Sequence, residues 1–437
     1  MGEQQLKRTL TWVQGTAMAI GAVLGSGVLI LPAITAQQAG PASILSWLLM
    51  SLLAFPLAIT LGRLGAKHPH AGGIVEYARL AFGDIGSRIT AWLFLGTIPI
   101  GVPIVALVGA NYVAGTFGLP QWTIPVMAAV MLFASLGLHR QGVDIASWVQ
   151  VLILSLIATM MVAAIIAAGP HMRSTNFHPF VPHGYLSIGT SSVQIFWCFV
   201  GWEMVGHLAE EFRDPARDLR RTFLLAPTLV GVLYVALSIV TVGTHAYGSV
   251  GGVAPLSQLV AIGLGRGGAM MTGGAALLIT MVAIHGNVAG FSRLVYSQAR
   301  AGVFPSFLGR LHERYQTPIV ALAALGVDFA AVLTIYTTFH VNLGALITWP
   351  STVFLALYGI AMMSALKLMR EGWRQRIVPL IPLLVCAGLY ALSGWAMGYP
   401  VILGTAGWVM YRIHGRTHAS GKRLDGTPVE SSGTSHT

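Results

Sequence analysis

Polar and apolar residues are segregated along this chain on the scale of whole helices. Residues 9–62 contain no Asp, Glu, Lys or Arg, and neither do residues 89–139. A membrane-spanning helix needs about 20 mostly apolar residues, so each stretch is long enough for two. Gln37-Gln38-Ala39-Gly40-Pro41 divides the first into spans at 11–36 and 41–66. Gly118-Leu119-Pro120 divides the second into spans at 86–112 and 121–139. A fifth span, 144–168, is ended by Gly169-Pro170. After a polar connection holding His171, His178 and His183 come spans at 188–211, 221–245, 269–298, 318–339 and 343–367. Residues 377–411 accommodate two more, turning near Gly398-Tyr399-Pro400. The pattern predicts an all-α polytopic membrane protein of 12 transmembrane helices. The polar start, residues 1–10, lacks a signal-peptide pattern. The tail, residues 413–437, is Ser-, Thr-, Gly- and charge-rich and reads as disordered.

Charge tests this arrangement. Only 9% of the 437 residues are charged and 55% are hydrophobic, against about 25% charged in soluble domains. With 12 spans, the loops on one side receive 23 of the 25 Lys and Arg residues, leaving Arg173 and Arg266 on the other. Basic loops stay cytoplasmic, so both termini are expected inside. The net charge of +11 is then a topological signal and not a nucleic-acid footprint. Cys198 and Cys386 both lie in apolar runs and suggest neither a disulfide framework nor a metal site. No cofactor motif is present.

Two spans carry irregularities. The first contains Leu24-Gly25-Ser26-Gly27-Val28. Glycine inside a helix costs about 1 kcal/mol relative to alanine, and backbone groups left unpaired in lipid are far costlier. Such a stretch is either a deliberate break exposing amides and carbonyls to a polar solute, or a close helix contact built on Gly21-xxx-Gly25. The sixth span contains Phe196-Trp197-Cys198-Phe199-Val200-Gly201-Trp202-Glu203, with His207 one turn on. The second lies five helices on from the first, an odd offset that inverts the second copy. That is the signature of an inverted repeat with paired broken helices around one site.

Glu203 is one of two acidic residues well inside the spans; Asp328 is the other. A charge at a helix centre costs about 3 kcal/mol on insertion scales, so Glu203 is a candidate proton-coupling group, with His207 able to share its proton. The alternative is a neutral, hydrogen-bonded tie between helices. Asp328 reads as structural. His285 and Asn287 in the eighth span are pathway candidates or interhelical hydrogen-bonders in equal measure. Pro99-Ile100-Gly101-Val102-Pro103 and Trp349-Pro350 mark expected kinks. Glu76 and Arg79 sit at i,i+3 on a predicted interfacial helix, residues 68–83.

Together, the helix 1 break, Ala71-Gly72-Gly73-Ile74-Val75-Glu76-Tyr77 with Phe82-Gly83, Phe199-Val200-Gly201-Trp202-Glu203 running into Glu210-Glu211-Phe212-Arg213-Asp214-Pro215, and Ser292-Arg293-Leu294-Val295-Tyr296-Ser297-Gln298-Ala299-Arg300 with Pro305 resemble the amino acid–polyamine–organocation (APC) transporter superfamily. Trp92-Leu93-Phe94-Leu95 and Phe196-Trp197-Cys198-Phe199-Val200-Gly201 with His207-Leu208-Ala209 look nearest to its bacterial exporters of L-methionine and branched-chain amino acids. The resemblance implies a LeuT-like five-plus-five inverted repeat, residues 11–168 and 188–367, followed by two helices at 377–412. It implies that amides near Ser26 and Gly27 hold a substrate carboxylate and carbonyls near Phe199 and Val200 its amino group. Glu203 corresponds to a position implicated in coupling in some relatives. The fifth span has no lysine to replace a sodium ion, unlike several proton-driven relatives, so the coupling ion stays open.

The residues are compatible with that chemistry. A zwitterion needs an anion site and a cation site side by side, which two half-helix ends supply. Leu24, Val28, Phe196, Trp197 and Phe199 suit an aliphatic or thioether side chain, with ordinary packing an equal reading of the aromatics. The expected function is secondary transport of neutral amino acids across a bacterial-type plasma membrane, as an antiporter-like exporter of methionine and branched-chain types, coupled to protons or by exchange. Uptake by the same fold, or a transporter-like nutrient receptor, are the alternatives. An enzyme is not expected. Partners are the amino acid, the lipid bilayer and protons.

Overall fold

A computed structural model describes residues 11–68, 72–142, 147–202, 212–247, 254–300, 306–315, 317–369 and 372–421. Among them are 13 α-helices and no β-sheet. The first span is segmented. Helix α1, Trp12–Val23, starts on a capping box in which Thr11 and Gln14 each bond the other's backbone amide. A 3₁₀ turn, Ser26–Leu29, separates it from α2, Leu31–Ala39. Helix α3, Ser43–Lys67, returns across the apolar layer.

Helix α4, Ile74–Phe117, joins the predicted interfacial helix to the third span. The two meet at a bend where Gly83 takes φ 73° and ψ −166°. Pro99 and Pro103 sit within continuous helix, so the sharp bend falls at a glycine and not at the prolines. Glu76 and Arg79 form the expected pair, two hydrogen bonds of 2.6 and 2.7 Å. Helices α5 (Thr123–Arg140) and α6 (Ser147–Ala168) follow.

The sixth span is segmented too. Helix α7, Leu186–Ile195, passes into a 3₁₀ turn, Phe196–Phe199, and then into extended backbone at Val200. Beyond come α8 (Pro215–Gly243), α9 (Pro255–Arg300), α10 (Ile319–Thr338) and α11 (Leu343–Leu368). Helix α9 bends at Gly265, φ 68° and ψ −165°, nearly the conformation of Gly83 in α4.

The last pair is α12, Trp373–Ala391, and α13, Gly398–Gly421, bent by 120°. The reversal lies at residues 392–397, before the predicted Gly398-Tyr399-Pro400. Pro400 sits in the first turn of α13, where the missing amide hydrogen has no intrahelical partner to lose. Helix α13 continues through His414 to Gly421. The helical part of the chain therefore extends further into the predicted tail, and residues 422–437 lie outside those described.

Eight of the described helical stretches are long and apolar enough to cross a bilayer, or nine if the bent α12–α13 pair counts as one. The difference from 12 falls on the segmented elements: the first and sixth predicted spans, each cut by a break, and the bent pair. Val126, Val151, Ile166, Val232, Met271 and Val327 project from the helix surfaces as exposed apolar side chains. So extensive an apolar exterior is foreign to a soluble monomer. The protein is an all-α, multi-pass membrane protein.

Candidate functional site

The two breaks touch one another at the centre of the bundle. In the first, Leu24 N–H closes α1 by bonding Ile20 C=O at 2.8 Å. Gly25 is then extended, φ −108° and ψ −174°. Among the described residues, no hydrogen bond is made by the amides of Gly25, Ser26 and Gly27. Ser26, Gly27 and Val28 are buried, while Gly25 is exposed and a Cβ there would make only an ordinary contact with Val23 C=O at 3.9 Å. These three amides open the 3₁₀ turn, so they point away from its hydrogen bonds, as at any helix start. An anion there would meet both free donors and the positive end of the turn.

The second break is set by Gly201. Its φ is 124°, and a Cβ there would run into the carbonyl of Ala22. The peptide of Gly201 thus lies on the last turn of α1. Its N–H donates to the Tyr358 hydroxyl of α11 at 3.1 Å. Trp197 is clamped between two glycines: a Cβ on Gly27 would be 2.6 Å from its Cδ1, and one on Gly101 would be 2.9 Å from its Cη2. Cys198 Sγ would be 2.9 Å from the same Gly27 Cβ. Glycine in the first break therefore serves close approach to Trp197.

Four aromatic residues that the sequence reading did not single out hold the breaks. Tyr234 of α8 places its hydroxyl 3.3 Å from Val23 C=O and 3.2 Å from Cys198 C=O, one carbonyl from each break. Trp47 of α3 donates to Thr35 Oγ1 of α2 at 3.1 Å, and its ring packs on Tyr234 and Phe199. The Tyr112 hydroxyl of α4 donates to Leu29 C=O. Tyr358 stacks edge-on against Phe196 at 5.6 Å. All four are fully buried. One signal was available: a tyrosine or tryptophan deep in an apolar span needs a partner for its polar atom. The partners are far away in sequence, and no local pattern shows them.

Of the predicted site residues, Leu24, Gly25, Ser26, Gly27 and Val28 come together with Phe196, Trp197, Phe199, Val200 and Gly201. Glu203 and His207 lie outside the described residues. His285 packs against α5, where its ring stacks on His139 at 3.8 Å and its carbonyl accepts from His139 Nε2 at 2.8 Å. Asn287 donates to Ala283 C=O of its own helix at 2.8 Å. Among the described residues, Asp218 is the only Asp, Glu, Lys or Arg that is buried, and it sits at the start of α8. The described surroundings of the breaks are thus uncharged.

Removing the Tyr234 hydroxyl tests the clasp. Tyr234→Phe leaves a buried carbonyl without its donor, which costs roughly 1–3 kcal/mol. The purified protein is expected to unfold at a lower temperature in detergent. An unchanged Tm would mean that this hydroxyl does not join the breaks.

Comparison with known proteins follows the same direction. The family model described as amino acid permease matches residues 10–415. An uncharacterized amino acid permease of Bacillus subtilis (strain 168) is 44% identical over 414 residues, covering 94% of this chain and 97% of the relative. The L-methionine/branched-chain amino acid exporter of Escherichia coli (strain K12) is 31% identical over 410 residues, covering 93% and 96%. A branched-chain amino acid permease of Bacillus subtilis (strain 168) is 23% identical, covering 96% and 95%. These relatives are named for transport and not for catalysis.

Proposed function

The chain belongs to the amino acid permease family, and on that premise we propose that it is a plasma-membrane carrier of neutral amino acids, exporting methionine and branched-chain types by alternating access. The observation that carries this reading is the pairing of the two breaks. The uncommitted amides of Gly25, Ser26 and Gly27 suit a carboxylate. Carbonyls at the end of the Phe196–Phe199 turn suit an ammonium group. Among the described residues, no buried fixed charge lies beside them to favour a cationic substrate. Trp197, Phe199, Leu24 and Val28 offer the apolar walls that an aliphatic or thioether side chain requires.

The five-plus-five inverted repeat has residue-level support in the two long helices. Helix α4 bends at Gly83 and α9 at Gly265, with φ/ψ of 73°/−166° and 68°/−165°. Three residues on, a Cβ at Gly86 would lie 2.7 Å from Phe82 Cβ, and one at Gly268 would lie 2.8 Å from Leu264 Cβ. The same glycine-x-x-glycine corner stands in each half, before the third helix of each repeat.

Counterflow in proteoliposomes tests the substrate class. Vesicles preloaded with unlabelled methionine are expected to accumulate labelled methionine and leucine, but not arginine or putrescine. Accumulation of arginine or putrescine would overturn the neutral specificity. Coupling to protons is assigned to Glu203, on its place in the sequence after the second break. Glu203→Gln is expected to flatten the pH dependence of transport while the protein still inserts. A pH profile like that of the wild type would remove Glu203 from the mechanism and leave exchange.

A further inference from the structure

Away from the breaks, a groove of about 440 Å³ lies between the last turns of α3 and the first turns of α8. Ile59, Ala66, Leu219 and Phe223 line it, together with Arg63 and Arg220. Leu219 and Phe223 are buried and form its floor. Gly62 makes that floor possible, because a Cβ there would collide with the Phe223 ring. Leu224, 46% exposed, stands at its open edge.

Both arginines are exposed, and neither makes an ion pair, a hydrogen bond or a ring contact among the described residues. Their neighbours are engaged differently. Arg221 lies over the Trp12 ring at 5.6 Å. The nearby Asp218 is buried, with its carboxylate accepting from Asp214 N–H at 3.4 Å. Two guanidinium groups thus meet at one groove with no counter-ion among the described residues. They sit one to two turns inside the helix ends, on the side that carries most of the chain's basic residues and that the positive-inside rule makes cytoplasmic. An arginine at that depth reaches the headgroup layer while its stem lies on apolar surface.

We propose that this groove is a binding site for an anionic phospholipid of the inner leaflet. The arginines take the phosphate, to which the planar guanidinium is matched in two-point geometry. The apolar walls take the upper part of an acyl chain. A soluble anion would use the arginines and leave those walls without a partner. Basic pockets between transmembrane helices on the cytoplasmic side recognise lipid headgroups by this combination.

The test is native mass spectrometry of the full chain in detergent, titrated with phosphatidylglycerol or phosphatidylcholine carrying identical acyl chains. Wild-type protein is expected to prefer phosphatidylglycerol. An arginine holding the headgroup contributes about fivefold, so Arg63→Gln with Arg220→Gln is expected to weaken phosphatidylglycerol by about 25-fold. Arg217→Gln, on the same helix but outside the groove, is expected to change nothing. Ala66→Trp fills the groove with both arginines intact and is expected to weaken the lipid as well. It decides the matter even where the double variant does not fold. Retained preference in the double variant, or in Ala66→Trp, overturns the proposal. So does displacement of the lipid by millimolar inorganic phosphate with Ala66→Trp silent, which would describe a soluble-anion site.

Discussion

Gly27→Val is expected to weaken methionine binding by about two orders of magnitude while the protein still inserts and purifies. The reason lies in the clamp on Trp197. A Cβ at position 27 falls 2.6 Å from Trp197 Cδ1 and 2.9 Å from Cys198 Sγ, and valine adds two methyl groups beyond that. Trp197 has nowhere to retreat, because Gly101 of α4 is already against its far edge. The clash is relieved only by moving the two breaks apart. Overpacking of this kind costs about 1–3 kcal/mol, equivalent to roughly 5- to 150-fold in affinity. Loss of the aligned amides would add to it. Gly25→Ala is the companion variant, since a Cβ there meets only Val23 C=O, at 3.9 Å. It should fold normally and perturb binding far less. Scintillation proximity with labelled methionine reads both, and native affinity in Gly27→Val would place the substrate elsewhere.

The second large effect is expected at Gly201. A left-handed backbone costs an L-residue roughly 1–2 kcal/mol, and φ 124° is further from the allowed region than that. Alanine there also points its methyl group into the Ala22 carbonyl, which belongs to backbone and cannot swing aside. The peptide must rotate, breaking the N–H bond to Tyr358. Gly201→Ala is expected to reduce transport at least tenfold and to lower Tm. Transport at the wild-type rate would mean that the second break need not rest on the first.

Much of this arrangement was legible in the residues. Charge-free runs of the right length located the helices, because lipid permits few ways to pair a backbone. Gly25-Ser26-Gly27 and Gly201 marked the breaks, because glycine at mid-depth has a cost that something must offset. What stayed hidden has two causes. The boundary at Gly83 was read, but the helix before Gly265 was not, because Gly263, Gly265, Gly267 and Gly268 fall within six residues and obscure any helical pattern there. Trp47, Tyr112, Tyr234 and Tyr358 act through partners supplied by other helices, and apolar spans containing one aromatic residue look alike until they are packed. His285 shows the converse: its neighbour is His139, 146 residues earlier, so a candidate read from its own helix was drawn to a different interface.

The Tyr234 hydroxyl carries one proton and stands within reach of two carbonyls. Its single O–H, directed at one carbonyl or shared between the two, leaves acceptor capacity unfilled on both Val23 and Cys198. Among the described residues, neither carbonyl has another donor. The seam between the two breaks therefore offers more hydrogen-bond acceptors than donors among the described residues. On the proposed function, the ammonium group of a substrate would bring three donors. Loading the site would then let both halves be saturated at once, so that occupancy would be registered as a change in hydrogen-bond count at the seam between them.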